Sequence, residues 1–151
     1  MDATSIANKL IKTFDNGGKV MICGNGGSSA EAEHFAGELM CHLLVDRPPL
    51  PALCLSSSNS VLTAISNDYG YEHIFSRQIQ ALGNKNDLVI TITTSGRSKN
   101  ILKAEQTCEA LKIPYIRLPI EGDNMLLIQE NHLRIIHNIC YLVEKHYVDS
   151  D

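Results

Sequence analysis

Apolar residues along this chain fall into two rhythms. Four short runs, residues 19–23, 51–55, 88–93 and 114–118, are rich in apolar residues and bounded by Gly, Pro, Asn or Ser, which reads as β-strands. Between them apolar positions recur every three or four residues, which predicts helices. Ile6, Leu10 and Phe14 line one face of a first helix that Asn16, Gly17 and Gly18 stop. Ser28 or Ser29 can cap a second helix that runs to about Leu44 and ends at Arg47-Pro48-Pro49. A third helix is expected over 71–82, stopped by Gly83 and Asn84. A fourth covers 98–112, with Ile101, Ala104, Cys108 and Leu111 as its buried stripe. The last, about 127–147, presents Leu133, Ile136, Cys140 and Val143 at helical spacing.

Short apolar strands separated by helices of this length call for crossover connections, and therefore for a mainly parallel sheet covered on both faces. The predicted fold class is α/β, a three-layer α/β/α sandwich, as a single domain over residues 1–151 without repeats or linkers. In open sheets of this kind, ligands sit beyond the carboxyl ends of the strands. Composition narrows the class of ligand. With 151 residues, 44% of them hydrophobic, the chain can furnish one core. Its 13 Lys and Arg against 17 Asp and Glu give a net charge of −4 with no basic run, which argues against a general nucleic-acid or polybasic membrane binder. No apolar run approaches the roughly 18 residues of a membrane span, and residues 1–16 lack a signal pattern, so a cytoplasmic protein is expected. Cys23, Cys41, Cys54, Cys108 and Cys140 are odd in number and never form CxxC, which suits reduced core residues better than disulfides or a catalytic thiol.

The strand ends carry the unusual chemistry. The first strand leads into Cys23-Gly24-Asn25-Gly26-Gly27-Ser28-Ser29 and then a helix. Small residues there admit an anion close to the backbone, and amides at the helix start and serine hydroxyls supply donors. The loop is neither a Walker loop, since no Lys follows the glycines, nor a dinucleotide fingerprint, since Ser29 stands where the third glycine belongs. The third strand ends in Thr93-Thr94-Ser95-Gly96-Arg97-Ser98 and again opens a helix. Either turn alone could be only a cap. Two of them after β-runs in one small domain favour a phosphomonoester.

Right after the first loop come Glu31, Glu33, His34 and Glu38. His34 and Glu38 are four apart, one turn along a helix, and could bind a metal or handle a proton; the same spacing also occurs on ordinary solvated faces. On the last helix Gln129 and His137 are eight apart and project within roughly 80° of each other. His132 and Glu130 fall elsewhere and read as solvent or interface residues.

The runs CGNGGSSAEAEHFAGEL, RPPLPALCL, LTAISNDYGYEHIFSRQIQALG, DLVITITTSGRSKNILKA and IQENHLRIIHNICYLVE, in this order, closely resemble the sugar isomerase (SIS) domain family, in its heptose-phosphate branch. The likeness covers residues 17–144. It implies an aldose-ketose isomerase acting on sedoheptulose 7-phosphate, in the first step of heptose synthesis for lipopolysaccharide. The family's phosphate-holding motifs fall on Gly26, Gly27 and Ser28 and on Thr93, Thr94, Ser95 and Ser98, and its sugar-lining residues on Asn25, Asp68 and Gln129. Metal-containing members use the positions of His34, Glu38, Gln129 and His137 as zinc ligands, one ion per site. The same resemblance assigns catalysis to Glu38 as base and His137 as acid, and implies a homotetramer whose Gln129 and His137 reach a neighbour's site.

Two departures stand out. The stretch between Leu118 and Gln129 is shorter than in relatives, which carry a further strand there and an arginine where Leu127 stands; residues missing from the chain are expected rather than a true deletion. His42 occupies a position where many members carry Arg. The competing reading is a non-catalytic SIS protein that senses sugar phosphates or binds a replication initiator. Retention of Glu38 with both histidines favours the enzyme.

Overall fold

The computed structural model describes residues 1–149. Its sheet consists of β1 (Val20–Gly24), β2 (Ala52–Cys54), β3 (Leu88–Ile92) and β4 (Tyr115–Arg117), ordered β2-β1-β3-β4 with every neighbouring pair parallel. All four expected strands are present. Each residue of β1 and of β3 is buried, because these central strands are covered on both faces. One face carries α1 (Ala3–Asp15), α2 (Gly27–Met40) and α6 (Met125–Val148); its core is built on Ile6, Leu10, Phe35, Leu39, Ile136 and Ile139. The other carries α3 (Asn59–Tyr69), a 3-10 turn (Tyr71–His73), α4 (Ser76–Leu82) and α5 (Lys99–Leu111), packed through Phe75, Ile79, Ile101, Ala104 and Cys108. The chain leaves β1 toward β2 on one side and returns to β3 on the other. The switch point of the sheet therefore lies between β1 and β3.

Several elements differ from the pattern-based expectation. Helix α2 starts on Gly26 rather than on a serine cap, with Gly26 at a φ of 57° that favours glycine, and no side chain caps it. It stops at Met40, before Leu44, because Arg47 folds back and donates to the carbonyls of Glu38 (2.8 Å) and Leu39 (2.9 Å), satisfying the helix end. The next loop is held by α6: the Glu144 carboxylate accepts the backbone N–H groups of Leu43, Leu44 and Val45 at 2.6, 2.9 and 3.0 Å. Burial would raise the Glu144 carboxyl, but those three donors and Arg47 hold it below its ordinary value. The expected helix over 71–82 is broken into the 3-10 turn and α4, and α3 before it was not anticipated; its apolar residues are too diluted by Ser, Thr and Asn, and no side chain of α3 is fully buried. Leu111 and Leu133 are 45% and 39% exposed, so each expected stripe is narrower by one residue. No helix among the described residues is long and apolar enough to cross a membrane.

Asp87 fastens the start of β3. Its carboxylate, with 1% of the side chain exposed, accepts from the Lys19 amide (3.0 Å), the Lys19 ammonium (2.6 Å) and the Asn84 amide (2.8 Å). Burial alone would push this carboxyl up; the Lys19 and Asn84 donors outweigh it and hold it below its ordinary value. A depressed folded-state value stabilises the fold above the unfolded value and loses that contribution as pH falls through the folded one. Thermal melts should therefore lose stability below about pH 4. Asp87→Asn should cost about 2 kcal/mol at neutral pH and flatten the acid limb. An unchanged acid limb in that variant would remove Asp87 from the account.

Candidate active site

Three segments meet over the carboxyl ends of β1 and β3. Residues 25–28 lead from β1 into α2, residues 93–98 lead from β3 into α5, and the first turns of α6 cross above them. Together they enclose a cavity of about 240 Å³, lined by Asn25, Gly26, Gly27, Ser28, Thr93, Thr94, Ser95, Ser98 and Gln129, with Ile92 and Met125 as its apolar wall. The two hydroxyl turns expected from the sequence thus face one space. The second is internally braced: Thr93 Oγ1 accepts from the Gly96 amide and Ser95 Oγ from the Arg97 amide, each at 3.2 Å. A hydroxyl that accepts from the backbone keeps its own proton, so both remain donors for an anion in the cavity.

Beside the cavity, α2 and α6 bring His34, Glu38 and His137 together. The His34 and His137 Nε2 atoms are 2.9 Å apart and His34 Nε2 lies 3.5 Å from Glu38 Oε1. One ligand-capable atom from each of the three falls within 4.8 Å of the others. Zinc bonds of about 2.0–2.1 Å at tetrahedral angles place ligand atoms about 3.3 Å apart, so the cluster has the spacing and the His/His/carboxylate donor set of such a site. Within the chain, Gln129 lies in the cavity lining and His137 in the cluster. Gln129 precedes His137 by eight residues on α6. Asp68 does not line the cavity; it is exposed near the end of α3, accepting from Asn67 at 2.9 Å.

His132 corrects the sequence-based expectation. It is fully buried rather than solvent-facing: Nε2 donates to the Pro119 carbonyl at 3.0 Å and Nδ1 faces Glu31 Oε2 at 3.5 Å. With Asn131, which donates to the Glu121 carbonyl at 2.9 Å, it ties down the short connection from β4 to α6. Glu130, as expected, is exposed. The sequence reading also missed Asn100 and Tyr71, which hold Asn25 in place. Asn100 was detectable as a polar residue beside the apolar stripe of α5. Tyr71 reaches Asn25 only through the sheet's switch point. Four of the five cysteines are buried, as expected; burial raises their thiols, that of Cys108 to about 12, so they stay protonated.

Fold and site together define the class: an open parallel α/β protein with an anion-sized, hydroxyl-lined cavity at its switch point and an imidazole–carboxylate cluster alongside. The profile of the SIS domain matches residues 3–118. A phosphoheptose isomerase of Helicobacter pylori is 43% identical over 158 aligned positions, covering 94% of this chain and 82% of its own, and one of Aneurinibacillus thermoaerophilus is 44% identical, covering 93% and 79%. The solved phosphoheptose isomerase of Francisella tularensis superposes with a TM-score of 0.90 at 36% identity, over 95% of this chain and 85% of that one. The chain belongs to the SIS-domain family and, within it, to the phosphoheptose isomerases. It is an isomerase for a small sugar phosphate. The 158 aligned positions exceed the 151 residues of the chain, so that Helicobacter relative has residues without a counterpart here.

The close approach of Gln129 to α2 gives a direct test of its place. A Cβ at position 27 would lie 2.3 Å from Gln129 Nε2, the end of a flexible side chain that can swing away. Gly27→Ala should therefore keep the fold but evict Gln129, lowering kcat/KM by about tenfold, the equivalent of one well-placed hydrogen bond. A variant with native kinetics would show that Gln129 has no part in turnover.

Proposed function

We propose that this chain interconverts sedoheptulose 7-phosphate and D-glycero-D-manno-heptose 7-phosphate through an enediolate, the reaction that opens heptose synthesis for lipopolysaccharide. The observation that carries this reading is the convergence of His34, Glu38 and His137 next to a cavity walled by Ser28, Thr93, Thr94, Ser95 and Ser98. The phosphate sits between the two hydroxyl turns, where Asn25, Gly26 and Gly27 let it approach the backbone. From there the reacting end extends toward His34, six residues from Ser28 on α2, and His137, eight from Gln129 on α6. Those offsets are about 9 and 12 Å along the helices, which suits an ester with several carbons between phosphate and carbonyl.

Glu38 takes the proton from C1 of the ketose and returns it to C2, while His137 moves the hydroxyl proton from O1 to O2, so that the carbonyl migrates with no net change in composition. His34, Glu38, Gln129 and His137 would hold one zinc ion. When bound, that ion polarises the carbonyl and hydroxyl oxygens of the sugar. Asp68 would line the sugar end if α3 draws in around substrate.

The reading includes a cytoplasmic setting, which the five free thiols support, and a homotetramer. Leu44, Val45 and Tyr141, exposed at 70%, 50% and 49% on the α2–α6 face, support association. Light scattering should give about four times the monomer mass. Conversion of sedoheptulose 7-phosphate to the aldose, followed by NMR with zinc supplied, tests the reaction itself. Ser95→Ala should raise KM by about tenfold with kcat little changed, as expected for a lost phosphate contact. Absence of turnover in the native chain would favour a non-catalytic sugar-phosphate binder.

A further inference from the structure

Asn25 stands at the mouth of the cavity, and its amide is fixed by a closed chain of hydrogen bonds. The Ile101 backbone N–H donates to Asn100 Oδ1 at 2.9 Å. A backbone N–H can only donate, so this contact settles which end of the Asn100 amide is oxygen. Asn100 is 2% exposed and pairs head to tail with Asn25: Asn25 Nδ2 donates to Asn100 Oδ1 at 2.9 Å, and Asn100 Nδ2 donates to Asn25 Oδ1 at 2.8 Å. The orientation of Asn25 follows from that of Asn100. Tyr71 adds its hydroxyl, donating to Asn25 Oδ1 at 2.9 Å. Asn25 Oδ1 then has two donors and no lone pair to spare, while Asn25 Nδ2 has used one of its two hydrogens.

We infer that Asn100, assisted by Tyr71, is a positioning residue that locks Asn25 as a hydrogen-bond donor to the bound sugar phosphate. The substrate atom that Asn25 meets must be an acceptor: a carbonyl, enediolate or phosphate oxygen. Asn100 does not face substrate in this role; it acts through Asn25. A free asparagine could turn either end toward a sugar hydroxyl, whereas one held at both ends offers a donor without reorganising, which favours a partner whose negative charge grows during reaction. The inference rests on the proposed isomerisation for its substrate, but the hydrogen-bond chain stands on geometry.

A double-mutant cycle tests it on the full-length protein. Asn100→Ala in the native background should lower kcat/KM on sedoheptulose 7-phosphate by about tenfold, and in an Asn25→Ala background by less than twofold. Tyr71→Phe, which removes one hydroxyl from an exposed ring, should follow the same pattern with a loss of about threefold. Equal losses in both backgrounds, or no loss in the native one, would overturn the inference, because a general structural role does not depend on Asn25. Melting curves accompany each variant, and if Asn100→Ala does not fold, Tyr71→Phe decides by the same criterion. Calorimetric affinity for sedoheptulose 7-phosphate, measured on the same proteins, carries the cycle even for a chain without turnover. In that case the reaction assignment fails while coupling of Asn100 to Asn25 is still measured.

Discussion

Glu38→Gln should lower kcat by about a thousandfold and leave KM within a factor of two or three. The substitution keeps the length and shape of the side chain and removes its negative charge, and with it the ability to take a proton. General base catalysis contributes roughly 10²–10⁴ in rate, so the loss belongs in the middle of that range. Glu38 is partly exposed at the edge of α2, with 19% of its side chain accessible, and its Oε1 lies 3.5 Å from His34 Nε2. Melting temperature should therefore hardly move. Because Glu38 also belongs to the cluster with His34 and His137, zinc content is measured on the same preparation. Loss of turnover with zinc retained assigns the base; native turnover in the variant would end that assignment.

The second large effect is expected from His137→Ala. Removal of this imidazole takes away the proposed proton carrier for the sugar oxygens and one of the two imidazoles in the cluster, leaving His34 Nε2 without the partner it has at 2.9 Å. A drop in kcat of about a hundredfold should appear at saturating substrate, with KM little affected. Zinc affinity, read by competition with a chromophoric chelator, should fall by at least tenfold. Contrast with Ser95→Ala gives this prediction its force. Phosphate contacts hold ground state and transition state alike and act on KM, whereas a proton carrier acts on kcat. Reversal of the two signatures would exchange the roles of the two ends of the site.

Strands were legible because burial on both faces leaves so little room for polar residues: residues 88–92 of β3 could hardly be anything else, and all four β-runs became strands of one parallel sheet. Both hydroxyl turns were legible because small and hydroxyl residues directly after a strand stand out against the apolar run before them, and both line one cavity. Helix ends were less readable. The stop of α2 at Met40 depends on Arg47 reaching back and on Glu144, a hundred residues away, gathering the amides of the following loop. Periodicity carries no trace of such long-range partners. Helix α3 escaped because no side chain of it is fully buried, so its apolar face is thin.

At the site, local spacing revealed His34 with Glu38 and Gln129 with His137, and the family resemblance joined the pairs. What stayed hidden was the supporting layer. His132 reads as one more polar residue on a helix, yet it is buried against Glu31 and Pro119. Asn100 and Tyr71 act on Asn25 from different elements, brought together only by the β1–β3 switch point. Supporting contacts of this kind arise from tertiary placement, and single-sequence patterns register only the residues whose chemistry is unusual on its own.

A crystal structure of Glu38→Gln with sedoheptulose 7-phosphate bound tests the account most directly, since the variant should hold substrate without consuming it. The phosphate is predicted between Ser28 and the Thr93–Ser98 turn, with C1 and C2 of the sugar against residue 38 and His137. A phosphate bound elsewhere, or a sugar whose reacting carbons lie away from His137, would contradict it.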